Sequence, residues 1–163
     1  MNLPIYIFGY GSLLLESSLR RTCPNAQIIE TYIVDGYKRV CNVEFETHCA
    51  KNIEFCKDST NFFVNGVIFK VSDEEEFNQL LIREKGYDII QISHPTLEVY
   101  TFSAKQNLNN RIYNTKRQKE YLQTCINGAK ERGEEFHKLF LQSTFVDEKL
   151  LEEYDIEELL KLA

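Results

Sequence analysis

The stretch that decides the fold is IYIFGYGSL, residues 5–13. Its first part, residues 5–9, is a short apolar run ending in glycine, which predicts a buried β-strand. The turn that follows, the glycine loop, comprises Gly9, Tyr10, Gly11, Ser12 and Leu13. Because glycine lacks a Cβ, the loop backbone can approach a ligand closely, and successive N–H groups can converge on an anion. The pattern fits either a carboxylate- or phosphate-binding loop or a plain glycine-rich turn.

Three more strands are predicted in the first half of the chain. Residues 26–34 and 37–45 flank the dipeptide Asp35-Gly36, which is a signal for a two-residue hairpin. Residues 62–71 form another apolar strand. The polar segment 46–61 lacks a clear periodicity and fits either a long hairpin loop or a short extra strand.

The second half of the chain becomes helical. A capping box at residues 72–75, Ser-Asp-Glu-Glu, predicts a helix over residues 73–83, with Gly86 placed to end it. Residues 87–92 and 97–102 then form a second strand pair. Beyond them, apolar residues recur at helical spacing, first around Tyr121 and later in short segments up to residue 160. Strands first and helices later predict an α+β domain, with a largely antiparallel sheet that can curl into a barrel.

Length and charge limit the class of protein. The 163 residues predict a single domain, 1–163, in which 144–163 is an acidic C-terminal helical extension. The net charge of −6 argues against non-specific binding to nucleic acid. No apolar stretch approaches the ~20 residues of a membrane span. We expect no leader peptide and no membrane partner.

Cysteines and histidines follow no metal-binding pattern. Five cysteines at irregular spacing do not suggest a disulfide framework, and the three histidines, His48, His94 and His137, stand apart. We therefore expect no metal. Free thiols favour a reducing compartment, which predicts a cytoplasmic protein.

Glu84 is the second candidate for chemistry. It lies where an amphipathic helix ends and a strand begins, close to the apolar residues Leu81 and Ile82. A carboxyl group in a partly desolvated pocket has a raised pKa and can act as a base near neutral pH. The other interpretation is a surface ion pair with Arg83 or Lys85.

Taken together, these segments resemble the γ-glutamylcyclotransferase superfamily, which includes the avirulence-induced-gene-2-like proteins. The family carries a Tyr-Gly-Ser-Leu or Tyr-Gly-Ser-Asn loop after its first strand, matched here by residues 10–13. Its glutamate before a Gly-Tyr pair is matched by Glu84, and its Gly-Tyr-x-Arg strand by residues 36–39. Its helical tyrosine ahead of a Gly-Ala pair is matched by Tyr121. The resemblance covers roughly residues 5–142 and leaves out the C-terminal segment.

The resemblance implies a small mixed, mainly antiparallel β-barrel flanked by helices, in a monomer or homodimer, with no metal or organic cofactor. It implies a small-molecule γ-glutamyl substrate, whose α-carboxylate end is held by backbone N–H groups of residues 10–13. Tyr121 is either a substrate-contacting hydroxyl or a core residue. Glu84 takes a proton from the α-ammonium, the amine closes on the γ-carbonyl to give 5-oxoproline, and the proton goes to the departing amine.

Two other functions fit the same sequence. One is a catalytically inactive anion- or glutamyl-binding module of the same fold, suggested by the acidic C-terminal segment. The other is a lyase or transferase acting on a carrier-bound γ-glutamyl group. The glycine loop alone does not select a leaving amine.

Overall fold

The computed structural model describes residues 2–44, 49–55, 61–104 and 116–161. His48 and half of the segment 46–61, residues 46–48 and 56–60, lie outside the described residues. The strands are β1 (Ile5–Gly9), β2 (Gln27–Asp35), β3 (Tyr37–Glu44), β4 (Cys49–Phe55), β5 (Phe63–Val71), β6 (Tyr87–Ile92), β7 (Val99–Ala104), β8 (Thr144–Val146) and β9 (Lys149–Leu150). The α-helices are α1 (Glu16–Thr22), α2 (Glu74–Arg83), α3 (Lys116–Glu131), α4 (Glu134–Ser143) and α5 (Ile156–Leu160), and two 3-10 turns lie at Ser12–Leu14 and Leu151–Glu153.

Strand β1 lies at the centre of a five-stranded sheet of order β2-β5-β1-β7-β6. It pairs antiparallel with β5 and parallel with β7. Ile7, Val67 and Val99 of these three strands are fully buried. A strand that is buried on both faces has a continuous run of apolar residues, and this pattern predicts β1. The predicted strand pair β6–β7 is also present, and it is antiparallel.

A second sheet has the order β4-β3-β8-β9. Across both sheets the described strands form five antiparallel pairs and two parallel pairs, which confirms a mixed, mainly antiparallel α+β architecture. The barrel prediction is too specific, because the described strands form two separate sheets rather than one closed barrel. Strand β4 supplies the short extra strand that was one interpretation of the segment 46–61.

The predicted hairpin at Asp35-Gly36 is wrong. Strand β2 pairs with β5 along its whole length, from Gln27 opposite Lys70 to Asp35 opposite Phe63. Strand β3 belongs to the second sheet, where it pairs with β4 and β8. The turn at Gly36 therefore passes the chain from one sheet to the other. The dipeptide indicates a turn, but the partner of β2 is decided by a strand much later in the sequence.

Two helix predictions also need correction. The N-terminal cap of α2 is Asp73 rather than Ser72, because the Asp73 side chain accepts the Glu76 N–H at 2.9 Å. The C-terminal segment 144–163 is not wholly helical, since strands β8 and β9 precede its 3-10 turn and α5. Strand β8 joins this segment to β3, so it is part of the second sheet.

The main core lies between the helices and the five-stranded sheet. It contains the apolar face of α3 together with Leu14, Leu19 and Leu80. Phe136 and Phe140 of α4 belong to the same buried cluster. None of the helices in the described part of the chain is both long enough and apolar enough to cross a membrane. The core positions α3 and the end of α2 against the glycine loop.

Candidate active site

The structure brings the glycine loop and Glu84 together in one recess. Every predicted site residue lines this recess: Gly9, Tyr10, Gly11, Ser12, Leu13, Glu84 and Tyr121. Phe8, Tyr87 and Phe102 complete the lining. The recess holds about 300 Å³, part of it open to solvent. Residues from β1, α2, β6, β7 and α3 therefore converge on one small concave surface.

The glycine loop leaves β1 and enters a single 3-10 turn. The Leu14 N–H donates to the Gly11 carbonyl at 3.0 Å, and the Leu15 N–H donates to the Ser12 carbonyl at 3.2 Å. The first N–H groups of the turn, those of Ser12 and Leu13, have no acceptor within it, as at any helix start. Both residues line the recess, and N–H groups at such a helix start are suited to an anionic group.

The carbonyl of Tyr10 is held from the interior by Arg39, which is fully buried on β3. Its Nη1 donates to the Tyr10 carbonyl at 3.1 Å and to the Asn65 carbonyl at 2.7 Å. Its Nη2 donates to Asn65 Oδ1 and Ser143 Oγ, and its Nε donates to Thr144 Oγ1. All five N–H groups are thus satisfied by neutral oxygens. Burial lowers the pKa of Arg39 to about 9.

This contact fixes the direction of one peptide unit in the glycine loop. A trans peptide is planar, with its C=O and N–H pointing in opposite directions. Because the Tyr10 carbonyl points to Arg39, the Gly11 N–H points away from it. Gly11 lines the recess, so this N–H is a candidate donor for a ligand oxygen.

Glu84 is placed by the turn that connects α2 to β6. Its N–H donates to the Leu80 carbonyl at 2.9 Å, and its carbonyl accepts the Tyr87 N–H at 3.0 Å. The turn closes through Gly86, whose φ of 102° is a left-handed conformation that residues with a Cβ rarely adopt. The last turn of α2 and the first residue of β6 therefore hold Glu84 between them.

The carboxyl group of Glu84 is the most perturbed acid of the site. Burial raises its pKa from 4.5 to about 7, and the Arg83 guanidinium opposes this rise. A carboxyl group with a pKa near neutrality can accept and return a proton at little cost in free energy. Arg83 directs its guanidinium to four oxygens of the glycine loop and α1, so the interpretation of Glu84 as half of a surface ion pair with Arg83 does not hold.

Tyr10, Tyr87 and Tyr121 line the recess, and the hydroxyls of Tyr10 and Tyr121 have different partners. The Tyr10 hydroxyl donates to the Phe102 carbonyl and is bound to the Ile53 backbone, so it stabilises the loop. The Tyr121 hydroxyl is hydrogen-bonded to the Ser12 side chain. Burial raises the pKa of both Tyr10 and Tyr121 well above 10, so both are neutral donors at physiological pH.

Helix α3 touches the loop region through Gly128. A Cβ on Gly128 would lie 2.5 Å from the Leu15 nitrogen and 2.7 Å from the Leu14 carbonyl carbon. Both atoms belong to backbone, which cannot move aside as a flexible side chain can. The absence of a side chain at Gly128 thus sets how closely the helix of Tyr121 approaches the end of the glycine loop.

Gly128→Ala is expected to destabilise the protein by about 2 kcal/mol, because the new methyl group overpacks this contact. An open helical position would give the opposite sign, since alanine there stabilises by about 1 kcal/mol relative to glycine. Urea denaturation measures the difference. Asn127→Ala at the exposed neighbouring position should change stability by no more than about 0.5 kcal/mol. A Gly128→Ala variant as stable as the wild type would contradict the close contact.

Sequence reasoning missed three lining residues and one organising side chain. Phe8 and Phe102 read as ordinary strand residues, and no local signal separates them from the core. Tyr87 directly follows the Gly86 turn, so its position beside Glu84 was a usable signal. Arg39 was identified only as part of a matched strand, although it holds the Tyr10 carbonyl.

Metal-binding groups are not clustered in the described part of the chain. No three side chains of His, Cys, Asp or Glu there lie close enough to hold an ion. Cys23, Cys41 and Cys125 are buried thiols outside any disulfide. The side chains available to a ligand in the recess are thus a carboxyl group, hydroxyls and aromatic rings, together with loop N–H groups.

Comparison with known proteins supports the architecture. No protein-family model matches the sequence, and a search of curated proteins finds no match. Among solved structures, the chain is similar to a γ-glutamyl cyclotransferase at 19% identity, covering 96% of this chain and 97% of that one, with a TM-score of 0.64. An uncharacterized protein from Homo sapiens matches at 18% identity over 98% and 99% of the two chains, with a TM-score of 0.66.

A third similar structure is a yeast γ-glutamyl cyclotransferase specific to glutathione. It matches at 12% identity over 87% of this chain and 96% of that one, with a TM-score of 0.54. The near-complete coverage in the first two matches takes in the segment after Ser143, which the sequence resemblance left out. The chain therefore has the γ-glutamylcyclotransferase-like fold.

Proposed function

We propose that the protein is a γ-glutamyl cyclotransferase that cleaves a γ-glutamyl amide or dipeptide into 5-oxoproline and a free amine or amino acid. The observation that carries this proposal is the position of Glu84, whose pKa is about 7, in the same recess as the glycine loop. The similarity in fold to γ-glutamyl cyclotransferases supports it.

In this proposal the glycine loop holds the γ-glutamyl group. The N–H groups of Ser12 and Leu13 bind its α-carboxylate, since they have no acceptor within the 3-10 turn. Its α-ammonium then faces the carboxylate of Glu84 across the recess. The recess is partly open to solvent, which leaves room for the leaving amine to extend outwards.

The reaction is an intramolecular amide exchange. Glu84 removes a proton from the α-ammonium, and the freed amine attacks the γ-carbonyl carbon to form a five-membered ring. The tetrahedral oxyanion is stabilised by the Gly11 N–H, which the Arg39 contact pre-orients. Collapse breaks the bond to the leaving nitrogen, and the protons lost by the attacking nitrogen pass to it through Glu84. Because both reacting groups belong to one bound molecule, positioning them can lower the activation barrier by on the order of 7–11 kcal/mol.

The direct test is to incubate the protein with γ-glutamyl dipeptides, γ-glutamyl amines and glutathione, and to measure 5-oxoproline by mass spectrometry. Release of 5-oxoproline from any of them supports the proposal, and the preferred substrate identifies the leaving amine. If no substrate is turned over while calorimetry shows that the protein binds 5-oxoproline or a glutamate analogue, the chain is a binding module.

Tyr121→Phe tests whether the hydroxyl of Tyr121 contacts the substrate. We expect kcat/KM to fall about fivefold, because the lost hydrogen bond is worth about 1 kcal/mol. Tyr154→Phe is the matched control, since its hydroxyl donates to the Val146 carbonyl at 2.8 Å outside the recess. That variant should lose stability and keep its kcat/KM. If Tyr121→Phe also changes only stability, Tyr121 is a core residue.

A further inference from the structure

Arg83 makes four hydrogen bonds from the last position of α2, directly before Glu84. Its Nη1 donates to the Ser18 carbonyl at 2.8 Å and to Thr22 Oγ1 at 3.0 Å. Its Nη2 donates to Ser12 Oγ at 2.9 Å and to Ser18 Oγ at 2.7 Å. One planar guanidinium therefore joins the end of α2 to the glycine loop and to α1.

A further contact links the Arg83 hydrogen bonds to α3, which also lines the recess. Ser12, which accepts from Arg83, is also hydrogen-bonded to Tyr121 on α3. Ser18 is buried on α1, so the Arg83 fork ends in a fixed part of the core rather than in a mobile surface side chain. The glycine loop is thereby tied on one side to the helix that carries Glu84 and on the other to the helix that carries Tyr121.

We propose that Arg83 is a positioning residue that holds the glycine loop at a fixed distance from Glu84. This inference rests on the proposed function, because it assigns Arg83 the task of keeping the bound glutamyl group within reach of the base. Arginine suits the task better than lysine, since its rigid fork reaches several oxygens at once whereas an ammonium group is a single point.

The charge of Arg83 has a second effect on the site. All four acceptors of its guanidinium are neutral oxygens, so no carboxylate among them cancels its charge. The Arg83 charge lowers the pKa of Glu84 against the larger effect of burial. Among the described residues, the other titratable groups that line the recess with Glu84 are Tyr10, Tyr87 and Tyr121. Burial raises the pKa of Tyr10 and of Tyr121 well above 10, so both hydroxyls are neutral when Glu84 titrates. The charge of Arg83 therefore favours the ionised form of Glu84, which is the form that acts as a base.

Arg83→Lys and Arg83→Gln separate the two effects. Arg83→Lys keeps the charge and loses the fork, so we expect kcat/KM to fall about 100-fold with the pH profile in place. Arg83→Gln should show a similar loss and also move the acidic limb of the profile to higher pH. Arg21→Gln, at an exposed position of α1, is the matched control and should keep the wild-type kcat/KM and pH profile.

A second variant guards against misfolding of the Arg83 substitutions. Ser18→Ala combined with Thr22→Val removes two of the four acceptor atoms and leaves the charge unchanged. We expect about a tenfold loss of kcat/KM, with an unaltered pH profile and a cooperative melting transition. Wild-type kcat/KM in this variant and in Arg83→Lys would overturn the positioning role.

Two measurements by NMR do not depend on turnover. The side-chain carboxyl signal of Glu84 should titrate at higher pH in Arg83→Gln than in the wild type, and amide exchange at Ser12 should be faster in both Arg83 variants. If neither changes, the inference about Arg83 is wrong even where the enzyme is active. If both change and the wild type releases no 5-oxoproline, the proposed function fails and the positioning of the loop by Arg83 stands.

Discussion

Glu84→Gln is expected to lower the kcat for 5-oxoproline release by about 10³-fold, with little change in KM. The amide of glutamine has nearly the shape of the carboxyl group but cannot accept the proton of the α-ammonium. General acid–base groups contribute about 10²–10⁴-fold, and Glu84 is proposed to act both as base and as acid. Because the glycine loop provides the binding contacts, substrate affinity should be largely kept.

The matched control for this variant is Glu75→Gln, at an exposed position in the first turn of α2. It removes the same charge from α2 away from the recess and should keep the wild-type kcat. The wild-type activity should also rise with pH through about 7, where the Glu84 carboxyl ionises. A Glu84→Gln enzyme with more than a tenth of the wild-type kcat would exclude Glu84 as the proton carrier.

Much of the secondary structure was predictable, because most elements have local causes. Strand β1 is a continuous apolar run, α2 follows a cluster of capping residues, and α3 carries apolar residues at helical spacing. The choice of strand partners is not local. Strand β2 pairs with β5 rather than with its neighbour in sequence, β3. The residues near Asp35 do not indicate which of these two strands is the partner of β2. For the same reason the barrel prediction failed while the α+β class held.

The candidate site shows the same division. The glycine loop and Glu84 were identified through their resemblance to a family, and neither segment alone distinguished a site from a surface turn. Two contacts of the site were not predicted from the sequence: Arg39 donates to the Tyr10 carbonyl, and Arg83 donates to the Ser12 hydroxyl. Both arginines bond to neutral oxygens from distant elements, so no charge pattern in the sequence marks them.

The placement of Glu84 has a consequence for stability as well as for activity. Its carboxyl group is shielded from water, and burial raises its pKa by more than the Arg83 guanidinium lowers it. A buried charge of this kind costs folding free energy. A residue placed for proton transfer should therefore destabilise the protein in the pH range where it is ionised.

Glu84→Gln is accordingly expected to be more stable than the wild type above pH 7, by about 3 kcal/mol. The native pKa of about 7 exceeds the ordinary value of 4.5, so between these pH values the folded wild type binds more protons than the unfolded chain. The contribution of Glu84 to wild-type stability is therefore greatest below pH 4.5, falls as pH rises towards 7 and is level above it. Each pKa unit corresponds to about 1.4 kcal/mol, which gives the size of the expected difference.

Urea denaturation of both proteins at pH 4.5, 6 and 8 measures this difference. The stability gain of Glu84→Gln should grow across the series, whereas Glu75→Gln should show no such rise, because its exposed carboxylate keeps its hydration in the folded state. A gain that is equal at pH 4.5 and 8 would mean that the substitution acts through packing rather than through charge. In that case Glu84 would carry no destabilising charge in the folded wild type at pH 8. A different group would then have to act as the base near pH 7.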